Sequence, residues 1–154
     1  MDKQLIEVIG IAKFTEFAIR SLFELAFPVR DNGIDSILYF PVEDNLLTTA
    51  IPVQLKCYSG QALTVDSKYN RLGNILHVII WNCLDTNPSF FALTQNHSMQ
   101  IANKLGWDAT PGWASKNGRY DATTATTPIR NEMAQYSINT ETFKKKVKQY
   151  YKLN

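Results

Sequence analysis

The sequence has few of the residues that cross-link small proteins or bind transition metals. It contains two cysteines and two histidines in 154 residues. Neither cysteine belongs to a C-x-x-C pair, and neither histidine has a partner at ligand spacing, which disfavours a zinc site. Cys57 and Cys83 lie in apolar segments, so we expect reduced core cysteines. His77, inside another apolar segment, is expected in the core, and His97 at the start of a helix.

Long hydrophobic runs, nucleotide-binding glycine loops and internal repeats are also missing. The first apolar stretch is broken by Lys13, Glu16 and Arg20, a pattern that favours neither a secretory signal nor a membrane span. We therefore expect a cytoplasmic protein without a membrane partner. Ser-His-Asp arrangements and dinucleotide fingerprints are absent too. The formal net charge of +2 is small, so a nucleic-acid surface would require local clustering of basic residues.

The remaining composition is typical of one soluble α/β domain spanning residues 1–154. It is 45% hydrophobic and 19% charged, enough apolar material for a core. Hydrophobic periodicity predicts a helix over residues 3–27 that ends at Pro28. Strands are predicted over residues 33–40, 51–58, 62–65, 75–81 and 89–94 of one sheet. Further helices are predicted over residues 96–105, from Pro128 onwards, and from a cap at Asn139 or Thr140 to about residue 153. Residues 107–127 are predicted to be a long irregular segment.

Glu16 occupies an unusual position in the first predicted helix. A helical wheel places it within a sector that we expect to be buried, formed by Leu5, Ile9, Ala12, Ile19, Phe23 and Phe27. Burying an ionised carboxylate requires compensation. A neighbouring Lys or Arg would provide it, and so would a bound cation. The alternative is that the edge of the buried sector is drawn incorrectly, in which case Glu16 needs no compensation.

Asp35, Gln54 and Lys56 form a second polar group, on two predicted strands. Gln54 and Lys56 are two residues apart and therefore share a face of their strand. A hairpin turn within residues 41–45, near Asp44 and Asn45, would place Asp35 opposite Gln54, at a cross-strand distance of about 5 Å. Oxygen ligands suit a hard divalent cation. The Asp35 carboxylate, the Gln54 amide oxygen and the carbonyl of Leu55 would supply them, with Lys56 beside the ion.

These residues resemble the signature of the PD-(D/E)xK (restriction-endonuclease-like) nuclease superfamily. The resemblance covers residues 5–60 and is carried by Phe14-Thr15-Glu16-Phe17-Ala18-Ile19-Arg20, Asn32-Gly33-Ile34-Asp35 and Val53-Gln54-Leu55-Lys56. It implies a mixed central sheet flanked by helices. It also implies a magnesium-dependent nuclease, with manganese as a substitute for magnesium. Glu16, Asp35, Gln54 and Lys56 would be the catalytic residues, and Glu16, Asp35, Gln54 and Leu55 would hold the metal.

One departure from that signature leaves two functions open. The acid usually found two residues before the lysine is Gln54 here, as in the Q-x-K variant of the superfamily. A nuclease acting on nucleic acid, with DNA as the expected substrate and a homodimer as the expected assembly, is the leading hypothesis. The alternative is a catalytically inactive module on the same fold that binds nucleic acid or a protein partner.

Several other residues are candidates for substrate binding. Ser59 and Gln61, in a turn after the predicted strand, and Lys68 and Arg71 beyond it are placed to contact a nucleic-acid backbone, although turn residues of these types are common. The basic run of residues 143–152 is expected to be a solvated helix face instead. Aromatic residues of the irregular segment could stack on bases or seal the core; they are Trp107, Trp113 and Tyr120.

Overall fold

Helix α1 (Lys3–Arg20) opens the part of the chain that a computed structural model describes, residues 2–30, 32–40 and 49–153. The Asp2 side chain caps it by accepting a hydrogen bond from the Gln4 amide. The helix ends earlier than predicted, and Leu22, just after it, has a positive φ of 64°. The chain then enters strand β1 (Glu24–Ala26), within the range predicted as helix.

The buried face of α1 is not the predicted one. Its buried residues are Gly10, Phe14, Phe17 and Ala18. The predicted inner sector instead faces solvent at Leu5, Ala12 and Ile19. Because α1 has apolar residues on two sides, the helical wheel alone selected the wrong side. The prediction that Glu16 is buried was therefore wrong.

The main sheet has six strands and mixed direction. Its other members are β2 (Ser36–Tyr39), β3 (Ala50–Cys57), β5 (Leu76–Trp81), β6 (Ser89–Thr94) and β8 (Ser137–Ile138), in the order β1-β2-β3-β5-β6-β8. Strands β3 and β5 are parallel, and the other neighbouring pairs are antiparallel. Every residue of β5 is buried, as its apolar sequence predicted for a central strand. The predicted hairpin turn, residues 41–45, lies outside the described residues.

A second sheet pairs two segments that the sequence did not connect. Strand β4 (Leu63–Asp66) was predicted to complete the main sheet but pairs with β7 (Arg119–Ala122) instead. The segment 107–127, predicted to be irregular, also contains a short 3-10 helix (Trp107–Ala109) and α3 (Pro111–Ser115). That prediction was wrong, because the pairing that orders β7 involves residues more than fifty positions earlier in the chain.

Helices cover both faces of the main sheet. They are α1, α2 (Gln95–Lys104), α4 (Thr127–Ala134) and α5 (Phe143–Tyr151). On one face, α1 and α5 cover a core that includes Leu76, Val78 and Ile80. The other face holds Ile79 and Trp81 in a second core beneath α2, α4 and the small sheet. The prediction of a mixed sheet flanked by helices is confirmed at this level.

Several local predictions are also confirmed. Phe143 and Val147 of α5 point into the core, as expected for a solvated basic helix with an apolar inner face. His77 is buried and hydrogen bonded to Gln95. Cys57 and Cys83 are free thiols.

Among the described helices, none has the length and hydropathy needed to cross a membrane.

Candidate functional site

Asp35 and Gln54 meet at the start of β2, as the predicted hairpin required. Ser36 pairs with Val53, and the Asp35 amide donates to the Val53 carbonyl at 2.8 Å, which brings Asp35 opposite Gln54. Oδ2 of Asp35 accepts from Nε2 of Gln54 at 2.5 Å and from the Leu55 amide at 2.6 Å. Nε2 of Gln54 also lies 3.3 Å from the Leu55 carbonyl oxygen. The Asp35 carboxylate and the Leu55 carbonyl, two of the predicted oxygen ligands, therefore both lie against the amide nitrogen of Gln54.

Tyr69 fixes the other end of the Gln54 amide. Its hydroxyl donates to Oε1 of Gln54 at 2.9 Å, and both side chains are buried. Gly33 lies against this pair: a Cβ added there would come within 3.4 Å of the Tyr69 ring and 3.8 Å of Oε1, at a φ of +85° that side chains rarely adopt. Because a tyrosine hydroxyl both donates and accepts, Tyr69 remains a suitable partner if the amide turns over.

Lys56 projects from the same face of β3 as Gln54. Burial lowers the pKa of its ammonium, and the positive charges of Arg119 and Lys68 lower it further, while Asp35 and Asp66 act in the opposite direction. Its Nζ atom lies 5.8 Å from the centre of the Tyr69 ring. The lysine is thus a half-buried cation next to the Asp35 and Gln54 pair.

Further cations border the cluster on the side of the small sheet. Nζ of Lys68 lies 4.9 Å from the centre of the Tyr69 ring and 3.7 Å from the nearly buried Asp66 carboxylate. Arg119 is the cross-strand partner of Asp66 and forms several hydrogen bonds with Asp121. The site therefore combines the Asp35 carboxylate and the Gln54 amide with a rim of cations that are paired with the carboxylates of Asp66 and Asp121.

Glu16 does not belong to this cluster. Its carboxylate is 65% exposed and pairs with Nε of Arg20 at 2.9 Å, one turn further along α1. It borders a shallow groove together with Phe17, Phe90 and Thr140. Helix α1 packs on the face of β3 that carries Leu55 and Cys57, whereas Gln54 and Lys56 project from the opposite face. The expected convergence of Glu16 with Asp35 is therefore not observed.

The remaining predicted contact residues are dispersed. Ser59 is exposed in the turn after β3, and the Gln61 carbonyl accepts from the Ala125 amide. Lys68 is at the rim described above. Arg71 is exposed near the end of the 3-10 helix Ser67–Leu72.

The aromatic residues of segment 107–127 seal the second core. Trp107 is buried and stacks on Tyr120, with ring centres 4.3 Å apart. Trp113 packs against the same cluster. Of the two alternatives for these side chains, core packing is the one that the structure shows.

The oxygen ligands around Asp35 are of the kind that a hard cation prefers, but together they carry little negative charge. A carboxylate, an amide and a backbone carbonyl are oxygen donors of the kind that Mg²⁺ and Mn²⁺ accept, and Mg²⁺ commonly takes only one or two carboxylates and completes its shell with water and substrate phosphate. In the described residues, no three His, Cys, Asp or Glu side chains are grouped as a metal site. Among these ligands, Asp35 would supply the only protein carboxylate to a bound metal.

Two residues of the site were not identified from the sequence. Tyr69 follows Lys68 in a 3-10 helix that Asp66 caps. An aspartate directly after the predicted apolar strand was the sequence feature that could have indicated the start of this helix. Arg119 falls in the segment predicted to be irregular, so no local pattern indicated its position.

No family model matches the chain, and neither a curated protein nor a solved structure shows significant similarity to it.

Proposed function

We propose that this protein is a divalent-metal-dependent nuclease whose site is built on Asp35, Gln54, Leu55 and Lys56. One observation carries the proposal: the Asp35 carboxylate and the Leu55 carbonyl flank the Gln54 amide, with the half-buried Lys56 on the same strand face as Gln54. A restriction-endonuclease-like fold, with DNA as the expected substrate, is part of this proposal.

The metal would be magnesium, with manganese as a substitute. Asp35, the Leu55 carbonyl and Gln54, with its amide turned so that the oxygen faces Asp35, would hold it. When bound, such an ion polarises a phosphoryl oxygen and lowers the pKa of a coordinated water. Tyr69 tolerates the turned amide by accepting from its NH₂ group, since the hydroxyl serves either role.

Lys56 has two uses in phosphodiester hydrolysis. As an ammonium it stabilises negative charge that develops on the phosphate, and its lowered pKa increases the fraction of neutral amine available to take a proton from water. Lys68 and Arg119, at the rim, would contact neighbouring phosphates and raise the local concentration of a polyanion.

The nuclease proposal is tested with purified protein on plasmid, single-stranded DNA and RNA in magnesium or manganese. Wild type should cleave at least one substrate, and Asp35→Ala and Lys56→Ala should each lose roughly 100-fold or more of the rate. Asp108→Ala, a change at an exposed carboxylate hydrogen bonded to Asn103, is the matched control and should remain active. Cleavage that persists in both site variants would reject the site.

A second candidate, an inactive nucleic-acid-binding module, is favoured by the orientation of Gln54. Its NH₂ group donates to Asp35 and Leu55 and so satisfies by itself the acceptors that a cation would bind. This alternative predicts that wild type binds nucleic acid without cleaving it.

Gln54→Glu separates the two candidates. The added carboxylate should lower the magnesium concentration needed for cleavage if wild type is a nuclease. In EDTA the same variant should be less stable than wild type by about 1–3 kcal/mol, because two carboxylates then face each other without the amide hydrogen bonds. A magnesium titration of the cleavage rate measures the first effect, and thermal unfolding with and without magnesium measures the second. Equal responses of variant and wild type to magnesium in both assays would argue against a metal at this position.

A further inference from the structure

Helix α1 exposes an apolar stripe on the side opposite its buried face. Of the eight large hydrophobic side chains that are exposed among the described residues, four lie on this side of α1 or just after its end: Leu5, Val8, Ile19 and Leu22. Val8 is 63% and Ile19 59% exposed. Such a concentration on one surface of a soluble domain is typical of an interaction site. We define the outer stripe by its spacing of three and four residues: Leu5, Val8, Ala12, Thr15, Ile19 and Leu22.

We propose that the outer stripe is the contact surface of an antiparallel homodimer, in which α1 of one copy packs against α1 of a second copy. The positions are symmetric along the chain. A two-fold axis between residues 13 and 14 exchanges Leu5 with Leu22, Val8 with Ile19, and Ala12 with Thr15. Large side chains at the ends therefore meet large ones, and the two small residues meet at the centre, where helices approach most closely.

The centre of the stripe carries no polar group that needs water. The Thr15 hydroxyl donates to the Ile11 carbonyl at 2.7 Å, which leaves its methyl group for packing. Ala12 is exposed and small. An apolar stripe with this 3–4 spacing matches the seam of paired helices.

Charges along one border of the stripe also fit a second copy. Lys13 and Glu16 lie on the same border of α1. In a two-fold antiparallel pair, this border of both helices lies on one side, so Glu16 comes within about one turn of Lys13 of the second copy. The exposed Glu16 carboxylate, already paired with Arg20, would then lie between two cations. Glu16 would therefore contribute to the dimer contact and not to the proposed nuclease site.

The same charges disfavour a lipid surface as the occupant. Helices that lie on membranes are usually enriched in Lys and Arg along the polar face. The charged residues of α1 are of both signs: Lys3, Glu7, Lys13, Glu16 and Arg20. A self-complementary stripe with mixed charges at its borders fits a second copy better than an anionic membrane.

This dimer does not depend on the proposed nuclease activity, and it has a consequence for the site. Because α1 covers one face of the main sheet and Gln54 and Lys56 project from the other, the two sites would open on the outer sides of the dimer. Each copy would then engage nucleic acid separately, rather than combining two sites on one duplex segment.

The test is a charge exchange across the two-fold axis. Val8 of one copy faces Ile19 of the other, so Val8→Lys alone and Ile19→Glu alone should each weaken dimerisation by roughly 100-fold or more, because each buries an unpaired charge. The double variant V8K/I19E should restore the dimer, since each new lysine then faces a new glutamate. Sedimentation velocity and light scattering over a micromolar concentration series measure the mass, expected at twice the 17.5 kDa chain mass for wild type.

Val29→Lys is the matched control, because Val29 is fully exposed and lies beyond both α1 and β1. It should remain dimeric. Circular dichroism checks that every variant is folded, as expected for substitutions at exposed positions. A monomeric wild type throughout the series would overturn the proposal, as would dimers unaffected by V8K and I19E or a V29K variant that dissociates equally. Failure of the double variant to recover would overturn the antiparallel register.

Discussion

At the scale of single residues, Gln54 determines what this site can bind. Its amide currently donates to an acid and to a carbonyl on one side and accepts from Tyr69 on the other. Turned over, the same side chain would present an oxygen to a cation with Tyr69 still hydrogen bonded. A glutamine between Asp35 and Tyr69 is thus compatible with the proposed apo and metal-bound states, whereas a glutamate without a bound cation would lose the amide hydrogen bonds to Asp35 and Leu55.

Lys56 provides the residue-scale prediction, which concerns stability against pH. Burial, followed by the charges of Arg119 and Lys68, lowers the pKa of Lys56 in the folded chain below its ordinary value of 10.5. The charged lysine therefore destabilises the fold at neutral pH, and this cost disappears as the pH rises through the folded pKa towards the unfolded value. Lys56→Met should unfold less readily than wild type at pH 7, with a difference that shrinks in alkaline solution.

Urea unfolding between pH 7 and 10 measures this difference. Lys145→Met, a change at an exposed lysine of α5, is the control and should change the free energy of unfolding little. A Lys56→Met variant less stable than wild type at pH 7 would mean that the contacts of the ammonium outweigh its burial. If the proposed nuclease activity is present in wild type, the same variant should lose it, so stability and activity would change in opposite directions.

At the scale of elements, the position of α1 on the sheet depends on Gly10. A Cβ added at this residue would lie 1.9 Å from Sγ and 2.7 Å from Cβ of Cys57, so helix and strand approach more closely than any other residue would allow. This contact orients α1 with its phenylalanines inward and leaves the outer stripe exposed. The face of β3 that carries Cys57 is fully used for packing, which leaves the opposite face for Gln54 and Lys56.

The element-scale prediction is that Gly10→Ala destabilises the protein. The overlap with Cys57 should cost about 1–3 kcal/mol, offset in part by the better helix propensity of alanine, worth up to about 1 kcal/mol. Adding Cys57→Ala removes the sulfur atom, so the double variant should lose less stability than the sum of the two single changes. Denaturant unfolding of wild type, the two single variants and the double variant gives the four free energies of unfolding. If the two single losses simply add in the double variant, the close approach of Gly10 to Cys57 is contradicted.

At the scale of the whole molecule, strand β5 joins two hydrophobic cores. Val78 and Ile80 face the core under α1 and α5, while Ile79 and Trp81 face the core under α2 and α4. A strand buried on both faces belongs to both cores at once, so neither core can lose it without exposing the other. One domain for residues 1–154 remains a prediction, which the cooperativity of unfolding tests.

The corresponding prediction is a single cooperative unfolding transition. All three tryptophans belong to the second core or pack against it: Trp81, Trp107 and Trp113. Their fluorescence therefore reports on one side of the sheet, whereas far-ultraviolet circular dichroism includes α1 and α5 on the other. The two signals should change at the same denaturant concentration, and Ile79→Ala should shift both midpoints equally. Separate midpoints would indicate two independently unfolding units.

Some of this architecture could be predicted because the signal was local. The apolar residues of β5 indicated a central strand, and the spacing of Asp35, Gln54 and Lys56 about a hairpin placed the first two opposite each other. Other features could not be predicted. Helix α1 is apolar on two sides, so periodicity did not distinguish the core face from the outer stripe, and Glu16 was assigned to the wrong side. Arg119 reaches the site through a pairing with β4 that is distant in sequence.

The sequence by itself determined the types of the longer elements, the central strand and the pair of polar residues that meet across a hairpin, because each depends on a local pattern or on a single turn of the chain. Tertiary structure alone decided which side of α1 is buried, which strands form the second sheet, that Tyr69 holds the Gln54 amide, and that the charges of Lys68 and Arg119 act on Lys56. These outcomes depend on contacts between residues far apart in the chain. Such contacts are selected by packing and charge in three dimensions, and local patterns do not encode them.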